Sequence, residues 1–339
     1  MRESELRWEA PDWQKQAHEW ILAEAARGGI RITGPIDQSH IQPWSTVLHI
    51  PSKEGTLFFK ATAPETIYEI GLTEQLAGWF PDCMPDLVAV DKARGWMLMR
   101  DGGEPLRASI RPTQDVMPWQ PVITRYAQVQ GGLADHVDEI LALGIPDHRL
   151  AALPALYHQL LTDEESLMLD QDKGLTSADF QKLQRLSPRI EQLCAGLAAF
   201  GIPESVDHGD FHDGNVLVKN GRLTFFDWGD ASVSHPFVSL RTFFVSMEIA
   251  LDLEEYAPPT PEMTSLLDRY LDQWNHFVDK EHLLTVYNLS RPVASIVKAL
   301  SWHNTISRLP AGSDLRVEYA WIVPEVLREF MVYERMASD

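Results

Sequence analysis

The chain has 339 residues, enough for one large domain or two smaller ones, and a formal net charge of −20. Hydrophobic residues make up 45% and charged residues 23%, a composition that is too apolar for a disordered protein. Such an acidic chain lacks the basic surface with which nucleic-acid binders neutralise phosphates, and it should also avoid anionic membranes. The surplus of acidic residues either attracts a cationic ligand or only keeps the protein soluble.

The cysteines and the N-terminal sequence together predict a cytoplasmic location. Cys83 and Cys194 are far apart and form neither a metal-binding pair nor a disulfide framework, which fits a reducing compartment. The first residues lack the apolar region of a signal peptide, and no apolar stretch approaches the length of a membrane span. We expect neither a nucleic-acid partner nor a membrane partner, and the oligomeric state cannot be predicted.

The first hundred residues predict a small sheet with two helices. Apolar residues at helical spacing run from Trp13 to Ala25 and stop at two glycines. A second helix is expected from Thr66 to Trp79. The alternating segments between and after these helices predict strands at Thr46–Ile50, Thr56–Lys60, Leu87–Asp91 and Trp96–Met99. Asp101-Gly102-Gly103 then predicts a flexible break between two lobes.

The remainder of the chain is mainly helical in pattern. Apolar residues recur at helical spacing in residues 118–143, 149–163, 177–200, 236–254, 261–278, 281–307 and 314–336. One β-type island interrupts them between Val206 and Phe226. The sequence therefore predicts an α+β fold with an N-lobe over residues 1–100 and a larger, helical C-lobe over residues 104–339.

The β-type island carries the residues with the clearest chemistry. It contains His208-Gly209-Asp210-Phe211-His212-Asp213-Gly214-Asn215, and Phe226-Asp227-Trp228-Gly229 follows at its end. Between these motifs, two alternating segments flank Asn220-Gly221, a pair typical of a tight hairpin turn. Because a hairpin returns the chain to its starting edge, Asn215 and Asp227 should lie side by side.

An aspartate, an asparagine and a second aspartate at this spacing suit phosphoryl transfer. That reaction needs an oriented nucleophile and oxygen ligands for Mg²⁺ ions on the nucleotide phosphates. Asp227 would be the anionic Mg²⁺ ligand and Asn215 the neutral one. Asp210 would orient the incoming hydroxyl or accept its proton. The spacing matches the H-R-D-x-x-x-x-N and D-F-G motifs of kinases, with Gly209 and Trp228 as substitutions.

These motifs resemble those of the aminoglycoside phosphotransferase family, which also contains choline, homoserine and methylthioribose kinases. The resemblance is specific over residues 206–237 and looser over residues 40–240. It implies a protein-kinase-like two-lobe fold and transfer of the ATP γ-phosphate to a hydroxyl of a small molecule. Asp210 would be the catalytic base, Asn215 and Asp227 would hold the metal, and His208 would brace the catalytic loop.

The resemblance also assigns nucleotide-binding residues in the N-lobe. Lys60 stands where the family keeps its phosphate-binding lysine, and Glu69 would pair with it, with Glu74 as the competing partner. Met99 and Arg100 stand where the adenine-binding hinge should be. A glycine-rich phosphate loop and an A-P-E element are both missing, and the second absence argues against a protein substrate. The acceptor would be aminoglycoside-like, an amino alcohol, a sugar or a related metabolite.

Two other functions stay open. The chain could be a catalytically silent nucleotide-binding scaffold. A silent member of the family would normally lose one of four functional residues, and this chain has all of them: Lys60, Asp210, Asn215 and Asp227. His208, Asp210 and His212 alternate along the chain and could instead ligate a transition metal in a hydrolase. Asp213, Asp230 and Glu248 could form an anionic substrate pocket or could be ordinary solvated carboxylates.

Overall fold

The computed structural model describes residues 6–254, 256–309 and 312–336. They form two compact units, one built from residues up to Ala108 together with Asp213–Asp230, the other from Ser109–His212 and the residues after Asp230. The outer ends of the predicted lobes, residues 1 and 339, lie outside the described residues. Among the described residues, no helix combines the length and apolar character of a membrane span.

Strands occur in both units. They are β1 (Asp37–Ile41), β2 (Ser45–Ile50), β3 (Leu57–Thr62), β4 (Leu87–Asp91), β5 (Trp96–Arg100), β6 (Glu104–Pro105), β7 (Ser205–Asp207), β8 (Val216–Lys219), β9 (Arg222–Phe225) and β10 (Ser232–Ser234).

Helices occur in both units, and most of them lie in the second. They are α1 (Leu6–Glu9), α2 (Pro11–Arg27), α3 (Tyr68–Trp79), α4 (Arg107–Ile110), α5 (Trp119–Leu133), α6 (Val137–Leu141), α7 (Leu153–Leu160), α8 (Glu164–Leu167), α9 (Ser177–Arg185), α10 (Ser187–Ala198), α11 (Leu240–Ala250), α12 (Pro261–Leu271), α13 (Lys280–Ser307), α14 (Asp314–Tyr319) and α15 (Ile322–Met336).

The first unit is built on an antiparallel sheet of strand order β1-β2-β3-β5-β4. Helix α2 contributes Trp20 to its core, where the ring centre lies 5.7 Å from that of Phe59 and 5.7 Å from that of Trp96. Edge-to-face aromatic contacts of this kind add to the burial energy of the large rings. This cluster fixes the inner face of β3 and β5, and thereby the position of Lys60 on β3.

The hairpin of β8 and β9 belongs to the first unit rather than to the helical one. Pro105 of β6 pairs with Leu217 of β8, so a three-stranded sheet forms with the order β6-β8-β9. Gly103, immediately before β6, has φ 104°, and a side chain there would collide with the carbonyl of Val218. Gly103 is therefore needed because two backbone segments approach closely there. The sequence had predicted only a flexible break between the lobes at this point.

The second unit is a helical bundle around α13. This long helix packs against α10 and α15, and Val293, Ile296 and Ala299 are among its buried residues. Strands β7 and β10 pair antiparallel within the unit, with Asp207 opposite Ser232. The segment that begins at His208 therefore leaves from the end of a buried strand.

Candidate active site

A lysine shared by two carboxylates is the central feature of the first unit. The Nζ atom of Lys60 lies 2.5 Å from Oε1 of Glu69 and 2.6 Å from Oδ1 of Asp227. Lys60 and Glu69 are buried, whereas 47% of the Asp227 side chain is exposed. Glu74, the competing partner, bonds to Lys92 at 2.8 Å instead. The structure thus pairs Lys60 with Glu69.

Burial and the charges of this cluster shift the pKa values of both Lys60 and Glu69. Burial alone would lower the pKa of Lys60, but the negative charges of Asp227 and Glu69 raise it above its ordinary value. Burial raises the pKa of Glu69 to about 7, against the opposing charge of Lys60. The two directions are compatible because one ammonium cannot fully compensate two carboxylates. Glu69 is the more deeply buried of the two carboxyl groups, and its pKa is therefore the one that rises.

The β8–β9 hairpin brings Asn215 and Asp227 to the same edge, as the sequence predicted. Val216 pairs with Phe225, and the amide of Phe226 donates to the carbonyl of Asn215 at 3.2 Å. The turn residues Asn220 and Gly221 have φ 52° and 80°, the left-handed pair of a type I′ turn. Asp227 also has a positive φ, 67°, a strained conformation typical of functional positions.

A second ion pair fixes the segment before β8. The amide of Arg107 donates to the carbonyl of Asp213 at 2.9 Å, and its Nε lies 3.4 Å from the Asp213 carboxylate. Only 1% of the Asp213 side chain is exposed. A side chain at Gly214 would overlap the guanidinium of Arg107, which explains the glycine before Asn215. Asp213 is thus a buried partner of Arg107, so the expectation of a solvated or pocket-lining Asp213 was wrong.

In the second unit, the segment His208–Phe211 is held by buried polar and aromatic contacts. The Asp207 carboxylate accepts from the Ser239 hydroxyl at 2.6 Å and from the Gly209 amide at 3.1 Å. The Phe211 ring stacks on Tyr126 with a centre-to-centre distance of 3.8 Å. His208 is buried, and its Nδ1 accepts from the amide of Asp210 at 3.4 Å. This geometry agrees with a bracing role for His208.

Asp210 faces the side chains of His212 and Lys298. Its carboxylate lies 3.1 Å from Nε2 of His212 and 3.8 Å from Nζ of Lys298. Lys298 also donates to the carbonyl of Gly209 at 2.7 Å. Burial would raise the pKa of Asp210, but the hydrogen bond from His212 and the charge of Lys298 hold it well below its usual range. Asp210 is therefore anionic at neutral pH.

Lys298 is the residue that the sequence analysis missed. It comes from α13, 88 residues after Asp210, so no local motif links the two. The available signal was a lysine within an apolar run, since Ala294, Ile296, Val297 and Leu300 are all buried around it. A charged residue inside such a run is expected to have a specific partner.

The predicted hinge residues lie in regular sheet. Met99 of β5 pairs with Phe58 on one side and Leu87 on the other. The amide of Arg100 donates to the carbonyl of Asp86 at 2.9 Å, and its guanidinium lies 3.5 Å from the Asp86 carboxylate. Because this amide is already bonded within the sheet, the adenine-binding role of Met99 and Arg100 stays a prediction without further support.

The hydrolase alternative receives no geometric support. Within the described part of the chain, one set of three potential metal-binding side chains converges, and it consists of Asp279, Glu281 and His282. All three are exposed. His208 does not join Asp210 and His212 in such a set, so the three residues do not form the predicted transition-metal site.

Together, the antiparallel sheet with its Lys60–Glu69 pair and the larger helical unit define a protein-kinase-like small-molecule kinase fold, which confirms the predicted fold class. Residues 115–255 match the model of the phosphotransferase enzyme family. The resemblance predicted from residues 206–237 is thereby confirmed, and the match supports the predicted small-molecule kinase. None of the curated proteins compared with the chain matches it.

Solved structures of small-molecule kinases share this fold. An ethanolamine kinase of Plasmodium vivax is 12% identical, with a TM-score of 0.56 over 90% of this chain and 83% of that one. A choline kinase of Cryptosporidium parvum is 10% identical, with a TM-score of 0.58 over 94% and 96%. An amicoumacin kinase in complex with AMP-PNP, Ca²⁺ and its ligand is 12% identical, with a TM-score of 0.51 over 92% of each chain.

Proposed function

We propose that the protein transfers the γ-phosphate of ATP to a hydroxyl of a small molecule and that the reaction depends on Mg²⁺. The observation that carries this proposal is the buried Lys60, held between Glu69 and an Asp227 that stands beside Asn215. A lysine–glutamate pair next to a metal-binding aspartate is the arrangement that phosphoryl transfer by kinases requires. The amicoumacin kinase with bound AMP-PNP supports the use of a nucleotide.

The oxygen donors at the edge of the hairpin fit magnesium. Asp227 offers a half-exposed carboxylate and Asn215 an amide oxygen, both hard ligands of the kind that Mg²⁺ prefers. These two residues would hold the ion, which when bound neutralises charge on the nucleotide phosphates. Lys60 would bind phosphate oxygens, and Glu69 would keep its ammonium in place.

Asp210 would orient the acceptor hydroxyl. Because its pKa is held below the usual range, it is a weak base, and it would accept a hydrogen bond first and the proton only as transfer proceeds. Lys298 would act as a positioning residue, since it holds the Gly209 carbonyl and faces the Asp210 carboxylate. Its charge would also keep Asp210 ionised.

A silent scaffold is the competing function, and a transfer assay separates the two. ADP release should be followed with ATP and Mg²⁺ across a library of hydroxyl compounds, for the wild type and for Asp210→Asn. Loss of a positioned general base should lower kcat by roughly 10²- to 10⁴-fold. Asp172→Asn, at an exposed position, is the matched control and should leave kcat unchanged. Equal ADP release by wild type and Asp210→Asn with every acceptor would favour the scaffold.

A further inference from the structure

The second unit contains a cavity of about 760 Å³ bordered by α11, α12, α13 and α15. This volume lies within the range of small-molecule binding sites. Aromatic and aliphatic side chains make up much of its wall, and a few charged groups project among them. The side chains that the argument uses are Arg241, Phe244, Tyr287, Arg291, Glu329 and Tyr333.

One arginine of the wall already has a carboxylate partner. Nε and a terminal nitrogen of Arg241 lie 2.7 Å and 2.6 Å from Oε2 of Glu329. The Tyr333 hydroxyl donates to the other oxygen of Glu329 at 3.1 Å. Glu329 is buried, and both of its oxygens are engaged within the protein. It is therefore poorly placed to bind a cationic ligand.

The other arginine of the wall has no such partner. Arg291 lies over aromatic rings, with its guanidinium carbon 4.4 Å from the ring centre of Tyr333 and 6.0 Å from that of Tyr287. No carboxylate of the described residues forms an ion pair with it. The guanidinium also bonds to the Tyr333 hydroxyl. Its remaining N–H groups can form the two parallel bonds that match a carboxylate.

This arrangement is unusual for so acidic a chain. The sequence has 49 aspartates and glutamates against 29 lysines and arginines, so a carboxylate partner for a cavity arginine was readily available. Two other carboxylates of the wall are engaged or solvated. Glu325 pairs with Arg328 at 2.8 Å, and Asp252 is exposed. Glu248 also lines the cavity and has an interaction of its own within the protein.

Helix α13 links the cavity to the proposed catalytic carboxylate. Arg291 precedes Lys298 by seven residues on α13, so the two residues share a helix face about 10 Å apart. Lys298 contacts Gly209 and Asp210, which also belong to the second unit. Phe244 of the cavity wall is the chain neighbour of Phe243, whose ring lies 6.1 Å from that of Phe211. An extended small molecule about 10 Å long matches the spacing of Arg291 and Lys298 along the helix.

We propose that this cavity binds the phosphate acceptor and that the acceptor is a hydroxy acid, whose carboxylate is bound by Arg291 while its hydroxyl reaches Asp210. The aromatic walls would contact the apolar part of the same molecule. This inference rests on the proposed function, because it names the acceptor of that reaction. It predicts an anionic acceptor, whereas the negative net charge of the chain is compatible with a cationic ligand or with solubility alone.

The test compares binding and turnover for three sets of size-matched compounds: hydroxy acids, neutral polyols and amino alcohols. Binding to the wild-type protein without nucleotide is measured by ligand-observed NMR, and turnover by ADP release. We expect the hydroxy acids to bind and turn over. Arg291→Gln should weaken their binding by about 10- to 100-fold, as expected for loss of a charge-assisted pair, and Arg291→Lys should recover part of it. The matched control is Arg185→Gln at an exposed position of α9.

The outcomes separate this inference from the proposed function. Binding restricted to polyols or amino alcohols, or hydroxy-acid binding that is unchanged in Arg291→Gln, would overturn the inference. Turnover of an amino alcohol would overturn it while leaving the kinase proposal intact. Binding of hydroxy acids that depends on Arg291, without any ADP release, would support the anion site and overturn its role as the acceptor site.

Discussion

Two lysines, one in each unit, face carboxylates in different ways. Lys60 stands in a sheet between Glu69 and Asp227, so that one ammonium serves two carboxylates. Lys298 stands in a helix, is anchored by the neutral carbonyl of Gly209 and faces the single carboxylate of Asp210. The first cluster carries excess negative charge, whereas the second balances one carboxylate against at least one cation.

This difference accounts for opposite shifts in two carboxyl groups. Burial raises the pKa of Glu69 to about 7, because the single ammonium beside it is shared. Burial acts in the same direction on Asp210, but the hydrogen bond from His212 and the charge of Lys298 prevail and lower its pKa. Because burial raises the pKa in both cases, the hydrogen bonds and charges around each carboxyl determine which one stays ionised.

Replacement of Lys60 should produce the largest effect. Lys60→Met alone would leave Glu69 buried without its cation, at a cost of about 3–5 kcal/mol in stability. The double variant Lys60→Met/Glu69→Gln removes that problem. It should fold, and its kcat should fall about 10²- to 10³-fold through loss of transition-state charge stabilisation.

Glu69→Gln is the control for this experiment. It keeps the ammonium but removes one of its two partners, so kcat should fall by no more than about 10-fold. Steady-state kinetics with varied ATP, after circular dichroism has shown that each variant is folded, provides the measurement. A double variant with wild-type kcat would show that Lys60 is a structural residue.

Replacement of Lys298 should have a smaller effect of a different kind. Lys298→Met removes a charge-assisted hydrogen bond to the Gly209 carbonyl and a cation from Asp210, and kcat should fall about 10- to 100-fold. The KM for ATP should stay within about twofold, since Lys298 lies in the other unit from Lys60.

The pH dependence distinguishes a positioning role of Lys298 from a merely structural one. With the lysine removed, the pKa of Asp210 rises, so the acidic limb of the kcat/KM profile should move to higher pH. Lys298→Arg keeps the charge and should retain the wild-type limb. A Lys298→Met profile that is reduced uniformly, with no displacement of the limb, would contradict the positioning role.

The sequence predicted the features that depend on local pattern. The hairpin at Asn220-Gly221, the strand pairs of the first unit and the helical segments all agree with the structure, because turn residues and apolar periodicity are local signals. Strand β1 was missed because its residues, Asp37–Ile41, are mainly polar and mostly exposed, without the alternation of a half-buried strand.

Long-range partners could not be predicted in the same way. Arg107 and Asp213 are joined across 106 residues, and Lys298 and Asp210 across 88, with no shared motif. A charged residue in an apolar run shows that a partner exists but does not identify it. The family resemblance narrowed the partner of Lys60 to one helix, but Glu69 and Glu74 both lie on it, and the structure identifies Glu69 as the partner.

The smallest expected effect concerns the pH dependence of stability. His235 in the second unit and Glu69 in the first should change the unfolding free energy with pH in opposite directions. Burial lowers the pKa of His235 to about 3. Its Nδ1 accepts from the amide of Phe237 at 3.3 Å, while Nε2 has no hydrogen-bond partner among the described residues, so the neutral ring is the folded form. A histidine with a lowered pKa contributes stability that is complete above its unfolded pKa near 6.5 and is lost as the pH falls. Glu69, with its raised pKa, instead loses stability as the pH rises from about 4.5 to 7.

His235→Asn isolates this histidine contribution. Asparagine can still accept from the amide of Phe237 at the start of the helical turn, but it does not titrate. Between pH 6 and pH 4 the unfolding free energy of the wild type should fall more steeply than that of the variant, by up to about 1.4 kcal/mol per pH unit. Urea unfolding at several pH values measures both slopes, and Glu69→Gln should change the slope in the opposite sense between pH 5 and pH 7. If the unfolding free energies of wild type and His235→Asn change equally with pH, the ring of His235 can be protonated in the folded state. That result would contradict the opposite pH dependence expected for His235 and Glu69.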